Sequence, residues 1–229
     1  MKIKRITTLF LAILIILQVT TISVLAASGK GYIFTYTWDN LNTRQAGSTT
    51  VLRHLWNMGY DAGEYLNNGA ASAYSVLPKS AIYVIDSHGA AGLIQLGTDD
   101  NVSFIGANIY SGGNNRSISD LSANALSNTK LVLYAGCETG LTSSSYGNLV
   151  TRTHAKGAQC VVGWNGTIHC GPTVDWIRLL FEKASDEQEV LWECFNHADY
   201  WVQDIWGTTY KNALNNRNEA GNITQYLYK

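Results

Sequence analysis

Two apolar runs in this sequence stop at residues with reactive side chains. Residues 82–89 read IYVIDSHG and residues 131–140 read LVLYAGCETG. His88 follows the first run and Cys137 the second. A cysteine attacks carbonyl carbon as its thiolate, and a neighbouring imidazolium lowers a thiol pKa from about 8.5 toward 4–7. The same imidazole can then protonate a leaving amine. Gly89 and Gly136 stand beside the pair. Lacking a Cβ, they let the backbone approach a substrate carbonyl and offer N–H groups to an oxyanion, each donor contributing about 3 kcal/mol in other hydrolases. A helix starting after Cys137 would favour the thiolate through its N-terminal dipole.

Both residues act together only if the elements before them point the same way. The segment 31–38, GYIFTYTW, is β-branched and aromatic and predicts a strand. Val51, Leu52, Leu55 and Trp56 recur at helical spacing up to Gly59. AIYVIDSHG predicts the next strand, with AGLIQLG (91–97) as a hairpin arm; VSFIGANI reads as a strand or a loop. SISDLSANAL predicts a short helix capped by Ser119. KLVLYAG, apolar on both faces, suits the centre of a parallel sheet. YGNLVTRTHAKGA predicts a helix closing at Gly157, QCVVGWNG another buried strand, and the last third amphipathic helices broken near Ser185-Asp186. This alternation implies an α/β fold, a three-layer sandwich with a mainly parallel sheet. Such sheets bind ligands beyond the carboxyl ends of their strands, where His88, Cys137 and Trp164-Asn165 all fall.

Residues 1–27 read as a signal peptide: Lys2, Lys4 and Arg5 precede the apolar run Leu9–Leu17, and Val24-Leu25-Ala26 offers a cleavage site. The run is short for a membrane span of about 20 residues. The expected product, residues 28–229, is one domain, secreted to the extracellular space or cell surface, with no stable membrane insertion. The chain holds 16 basic and 17 acidic residues; without Lys2, Lys4 and Arg5 the count is 13 against 17, a net charge of about −4. That balance points to no nucleic acid. Four cysteines, Cys137, Cys160, Cys170 and Cys194, are sparse for an exported chain. With Cys137 reserved for chemistry, at most one disulfide can form.

IYVIDSHG followed by LVLYAGCETG resembles the caspase–haemoglobinase superfamily of cysteine peptidases, which includes caspases, legumains, gingipains, clostripain and separase. GCETG is similar to the Ala-Cys-Glu-Ser-Gly of legumains and the Ala-Cys-x-Thr-Gly of CHAT domains, and GAQCVVGWNGTI is similar to the strand that follows in CHAT domains. The His–Cys interval of 49 residues matches the roughly 50 of caspases. The likeness covers about residues 80–200. It implies a caspase-like fold with a peptide or protein as substrate, His88 as general acid/base, and Cys137 as nucleophile. It further implies an oxyanion hole from the N–H groups of Gly89 and Cys137, and a cleft lined by Trp164, Asn165 and Gly166. No third catalytic member is needed. Ala135-Gly136 replaces the caspase Gln-Ala, so aspartate specificity is not implied.

Other residues carry weaker signals. Asp86 either selects a basic side chain or caps a turn, the turn being favoured. Glu138 either attracts a cationic substrate group or supports a following helix. His169-Cys170 and Cys194-x-x-His197 lack the paired pattern of a zinc site, so neither metal nor cofactor is implied. His54 and His154 read as helix residues. Trp192, Trp201 and Trp206 are at helical spacing, which favours the core over a glycan-stacking surface. YSGGNNR (110–116) reads as a lid, a self-cleavage site at Arg116, or an exposed turn. The reading is an exported Cys-His endopeptidase; the alternative is a non-catalytic module binding a peptide or glycan.

Overall fold

The computed structural model describes residues 29–37, 49–98 and 100–228. The leader reading for 1–27 and the end of the first strand at Trp38 lie outside those residues. Strand β1 (Lys30–Thr35) leads to helix α1 (Thr49–Asn57), β2 (Asp61–Leu66), α2 (Ala70–Val76) and β3 (Ser80–Asp86). Four short strands follow: β4 (Gly89–Ala90), β5 (Leu93–Thr98), β6 (Asn101–Gly106) and β7 (Arg116–Ser117). Then come β8 (Leu131–Ala135), a small hairpin of β9 (Thr142–Ser143) and β10 (Gly147–Asn148), α3 (Leu149–His154) and β11 (Cys160–Trp164). Helices α4 (Cys170–Asp186), α5 (Leu191–Trp206) and α6 (Thr208–Asn215) precede the last strand, β12 (Arg217–Gly221).

The main sheet has six strands in the order β12-β11-β8-β3-β1-β2. All pair in parallel except β12, which runs antiparallel to β11. Side-chain parity builds the layers, because successive residues of a strand face opposite sides. On one face Ile82, Val84, Leu131, Leu133 and Val162 pack with Val51 and Leu55 of α1, Ile177 and Leu180 of α4, and Phe195 of α5. On the other, Tyr83, Ile85, Val132 and Tyr134 pack with Ala70, Leu149 and Val150, and with Ile94, Leu96 and Ile105 of the small β4-β5-β6-β7 sheet. The result is an α/β three-layer sandwich, as the alternating pattern implied.

Several expectations are corrected. The last third is not wholly helical, since β12 closes the sheet. Its Arg217 pairs with buried Asp199 at 2.9 Å and stacks over the rings of Trp176 and Phe195. The 118–126 segment forms only a 3-10 turn at Ile118–Asp120, and Ser119 does not cap it; its hydroxyl donates to Ala107 O at 2.8 Å. No helix follows Cys137: residues 137–140 form a turn with Glu138 at φ 60°, and the next helix waits for Asn148, whose side chain caps α3. The dipole argument for the thiolate falls with it. All four cysteines are free thiols. Trp192 and Trp201 lie half out on α5 rather than in the core. Tyr110 in the 110–116 segment is exposed, and Arg116 opens β7. Among the described residues, no helix is long and apolar enough to cross a membrane.

Candidate active site

Register brings the two reactive residues to one rim. Asp86, the last residue of β3, pairs with Ala135, the last of β8. Ser87 N–H donates to Ala135 O at 3.0 Å, extending that pairing one step. The chains leaving the two strands therefore stay adjacent, and His88 and Cys137 line the same cavity of about 190 Å³. That is below the 300–1,000 Å³ of usual small-molecule pockets and suits one side chain. Its walls come from four elements. Tyr36 follows β1, Asp86 and Ser87 close β3, Ala135 closes β8, and Ile168, Cys170 and Thr173 come from the start of α4 and the loop before it. Tyr36 N–H donates to Asp86 O at 3.0 Å, and the Tyr36 ring meets the His88 ring edge-on with centroids 6.0 Å apart.

The turn holding Cys137 is fastened from beneath by Thr139. Its fully buried hydroxyl donates toward Tyr134 O (2.8 Å) and Gly136 O (3.0 Å) and accepts from Trp164 N–H (3.2 Å). Glu138 N–H reaches Gly166 O at 3.0 Å, and Gly140 N–H reaches Trp164 O at 2.8 Å. Asn218 of β12 adds its side-chain N–H to Gly140 O at 2.7 Å. These bonds hold Glu138 in a left-handed conformation that a non-glycine residue adopts only when its surroundings enforce it. Above the turn, Ile168 N–H donates to Cys137 Sγ at 3.4 Å, and Sγ lies 3.6 Å from Ile168 O. A thiol can donate to that carbonyl, and a thiolate is stabilised by that N–H.

Two glycines set how closely the rims approach. An ideal Cβ on Gly89 would stand 2.5 Å from Cys137 O, and one on Gly136 would stand 2.9 Å from Ser87 O. Any side chain there would wedge the two loops apart. Both glycines thus have a steric role; the Gly136 N–H itself is taken by Tyr134 O at 2.9 Å, which corrects the expectation that it faces an oxyanion.

The other expected residues are sorted as follows. Trp164 does not line the cleft: it is 0% exposed, donates its indole N–H to Leu214 O, and packs edge-on against Trp176. As the last residue of β11 it shares the face of Val162, which points into the core. Asn165 is half-buried, its N–H bound to Asn216 O at 2.9 Å, and it does not border the cavity. Glu138 is exposed beside Cys137. Asp86 is not simply a turn cap; it is 9% exposed and borders the cavity. Parity with Ile82 and Val84 was the available signal. Tyr36, Ile168, Thr173 and Thr139 escaped the sequence reading, and Cys170, weighed there only as a zinc ligand or a disulfide partner, borders the cavity. Cys194 is buried in the core. No group of three or more His, Cys, Asp or Glu able to hold a metal occurs among the described residues.

No family model and no curated protein matches the sequence. Solved structures do. The Arg-specific cysteine proteinase gingipain R matches with a TM-score of 0.60 at 9% identity, over 88% of this chain and 48% of its own. The complex of Porphyromonas gingivalis RgpB pro- and mature domains gives 0.59 at 7% identity, over 89% and 49%. Caspase-1 from Spodoptera frugiperda gives 0.53 at 11% identity, over 89% and 93%. This chain spans about half the length of the gingipain chains it matches. At such identities the likeness is one of fold. This chain shares with them a caspase-like α/β fold with a mostly parallel central sheet.

Proposed function

We propose that this protein is an exported cysteine endopeptidase whose leader, residues 1–27, is removed and whose folded part works outside the cell. The observation that carries the reading is that Cys137 and His88 border one cavity at the carboxyl rim of a caspase-like sheet. In the proposed mechanism Cys137 gives its thiol proton to His88, and Sγ attacks the scissile carbonyl carbon. The carbonyl oxygen, now an oxyanion, takes the N–H groups of Gly89 and Cys137. The C–N bond then breaks as His88 gives its proton to the departing amine. Water, deprotonated by His88, hydrolyses the thioester and returns the thiol. The side chain on the acyl side fills the cavity. Asp86 is the acidic residue of its lining, so a lysine or arginine side chain is the best complement.

The test uses fluorogenic peptides that differ only in the acyl-side residue: Lys, Arg, Asn, Asp and Leu. The wild type should turn over the basic substrates best. Cys137→Ala and His88→Ala should fold normally and cleave nothing. Asp86→Asn should lose the basic preference. A folded wild type that binds peptides equally well with and without Cys137, and never cleaves them, would establish the binding-module reading instead.

A further inference from the structure

A second, smaller cavity of about 80 Å³ also borders His88. It shares His88 alone with the first cavity and does not touch Cys137. Gly89 and Ala90 of β4, Leu93 and Gln95 of β5, and Phe104 of β6 complete its lining. The small sheet explains why these residues meet. Leu93 and Gln95 are two apart on one strand and so share a face, and Phe104 sits opposite Gln95 in the β5–β6 register. Ile94, Leu96 and Ile105 fill the opposite face and anchor it to the core. Gln95 N–H donates to His88 O at 2.9 Å, fixing this wall to the histidine loop.

We infer that this cavity receives the side chain of the residue that follows the scissile bond, and that it selects an aliphatic one. The inference rests on the peptidase reading above. The acyl half of the substrate occupies the cavity that contains Cys137. The departing amine must lie against the imidazole that protonates it, so the residue carrying that amine lies across His88. The lining there holds no Asp, Glu, Lys or Arg. A lysine or arginine side chain would lose water without gaining an ion partner, and would face the proton-bearing His88. The walls are Ala90, Leu93 and Phe104, with one neutral amide from Gln95. The volume, less than half that of the first cavity, fits a valine- or leucine-sized group.

The test is a set of internally quenched peptides with one fixed acyl half, varied only at the residue after the bond: Gly, Val, Leu, Lys and Asp. In the wild type, kcat/KM for Leu or Val should exceed that for Gly by roughly tenfold, the effect of a few methylenes in an apolar pocket, with Lys poorest. Phe104→Ala should bring the Leu-to-Gly ratio close to one. Gln95→Glu, which keeps the shape, should raise Lys relative to Leu. Each comparison is a ratio within one enzyme, so a lower folded fraction cancels. An active wild type that cleaves all five equally, or a Leu-to-Gly ratio untouched by Phe104→Ala, overturns this inference and leaves the peptidase reading intact. Failure of the wild type to cleave any peptide overturns both.

Discussion

Replacing Gly89 with alanine tests the site geometry most directly. The new Cβ would stand 2.5 Å from Cys137 O, 2.6 Å from Thr139 Cγ2 and 2.9 Å from Gly136 C. Contacts under 3.0 Å are essentially never seen for a real Cβ, so the Cys137 turn must retreat by at least about 0.5 Å. Gly89 does not lie in the left-handed region, which makes contact, not backbone strain, the cause. The retreat cannot be taken up by a flexible side chain, because two of the three atoms belong to the backbone of the Cys137 turn. Thr139 beneath is itself held by three hydrogen bonds. Displacement by about 1 Å lowers rates about a hundredfold, and functional groups tolerate about 0.5 Å. Gly89→Ala should therefore lower kcat/KM by about ten- to a hundredfold, and overpacking should remove about 1–3 kcal/mol of stability. Gly136→Ala, with its nearest contact at 2.9 Å, should act in the same direction but less. Gly63→Ala on edge strand β2 is the control, since its Cβ meets only the Tyr65 ring at 3.6 Å. The assay is steady-state peptide cleavage, normalised to folded protein by circular dichroism, alongside thermal melts. Wild-type kcat/KM and Tm in Gly89→Ala would refute the claim that close approach of the two loops builds the site.

Three further outcomes are expected. Burial pushes the Cys160 and Cys194 thiols up to about 12, so iodoacetamide at about pH 8 should label Cys137 and Cys170 and spare the other two until the protein unfolds; peptide mapping by mass spectrometry reads the sites. Arg217→Met should strand the buried Asp199 carboxylate with Trp176 Nε1–H at 2.8 Å as its remaining side-chain partner, a loss of about 3–5 kcal/mol visible in urea titration. His197 has its pKa lowered, chiefly by burial. Below its ordinary value of 6.5 the unfolded chain therefore takes up the proton first, and stability should fall as pH drops from there toward the folded-state pKa. His197→Gln should flatten that part of the pH–stability curve.

What the sequence disclosed depended on how completely each element is packed. Strands β3, β8 and β11 are buried at every position, so their apolar runs stand out, and the pairing of His88 with Cys137 follows from their common direction. Edge strands β2, DAGEYL, and β12, RNEAG, are largely half-exposed. Their polar residues carry no alternation strong enough to read. The turn after Cys137 reads as a helix start from sequence because Glu-Thr-Gly is compatible with either. What decides the matter is the set of hydrogen bonds from β11 and β12, invisible in local spacing. A strand-end position and the family resemblance both assign Trp164 to the cleft, yet its parity with Val162 sends it into the core. The same parity argument would have turned Asp86 toward the cavity.

The fastening of Gly140 has a consequence for how the molecule comes into being. Its carbonyl accepts one side-chain N–H from nearby Asn148 and one from Asn218, each at 2.7 Å. Asn218 follows Gly140 by 78 residues. A ribosome works from the N-terminus, so His88 and Cys137 emerge long before the strand that completes their support. Bringing that strand home closes a long loop, the slow class of folding event. The nascent chain thus carries both reactive side chains without the finished turn beneath them until β12 has emerged. Hydrolytic competence would arrive only with that closing strand.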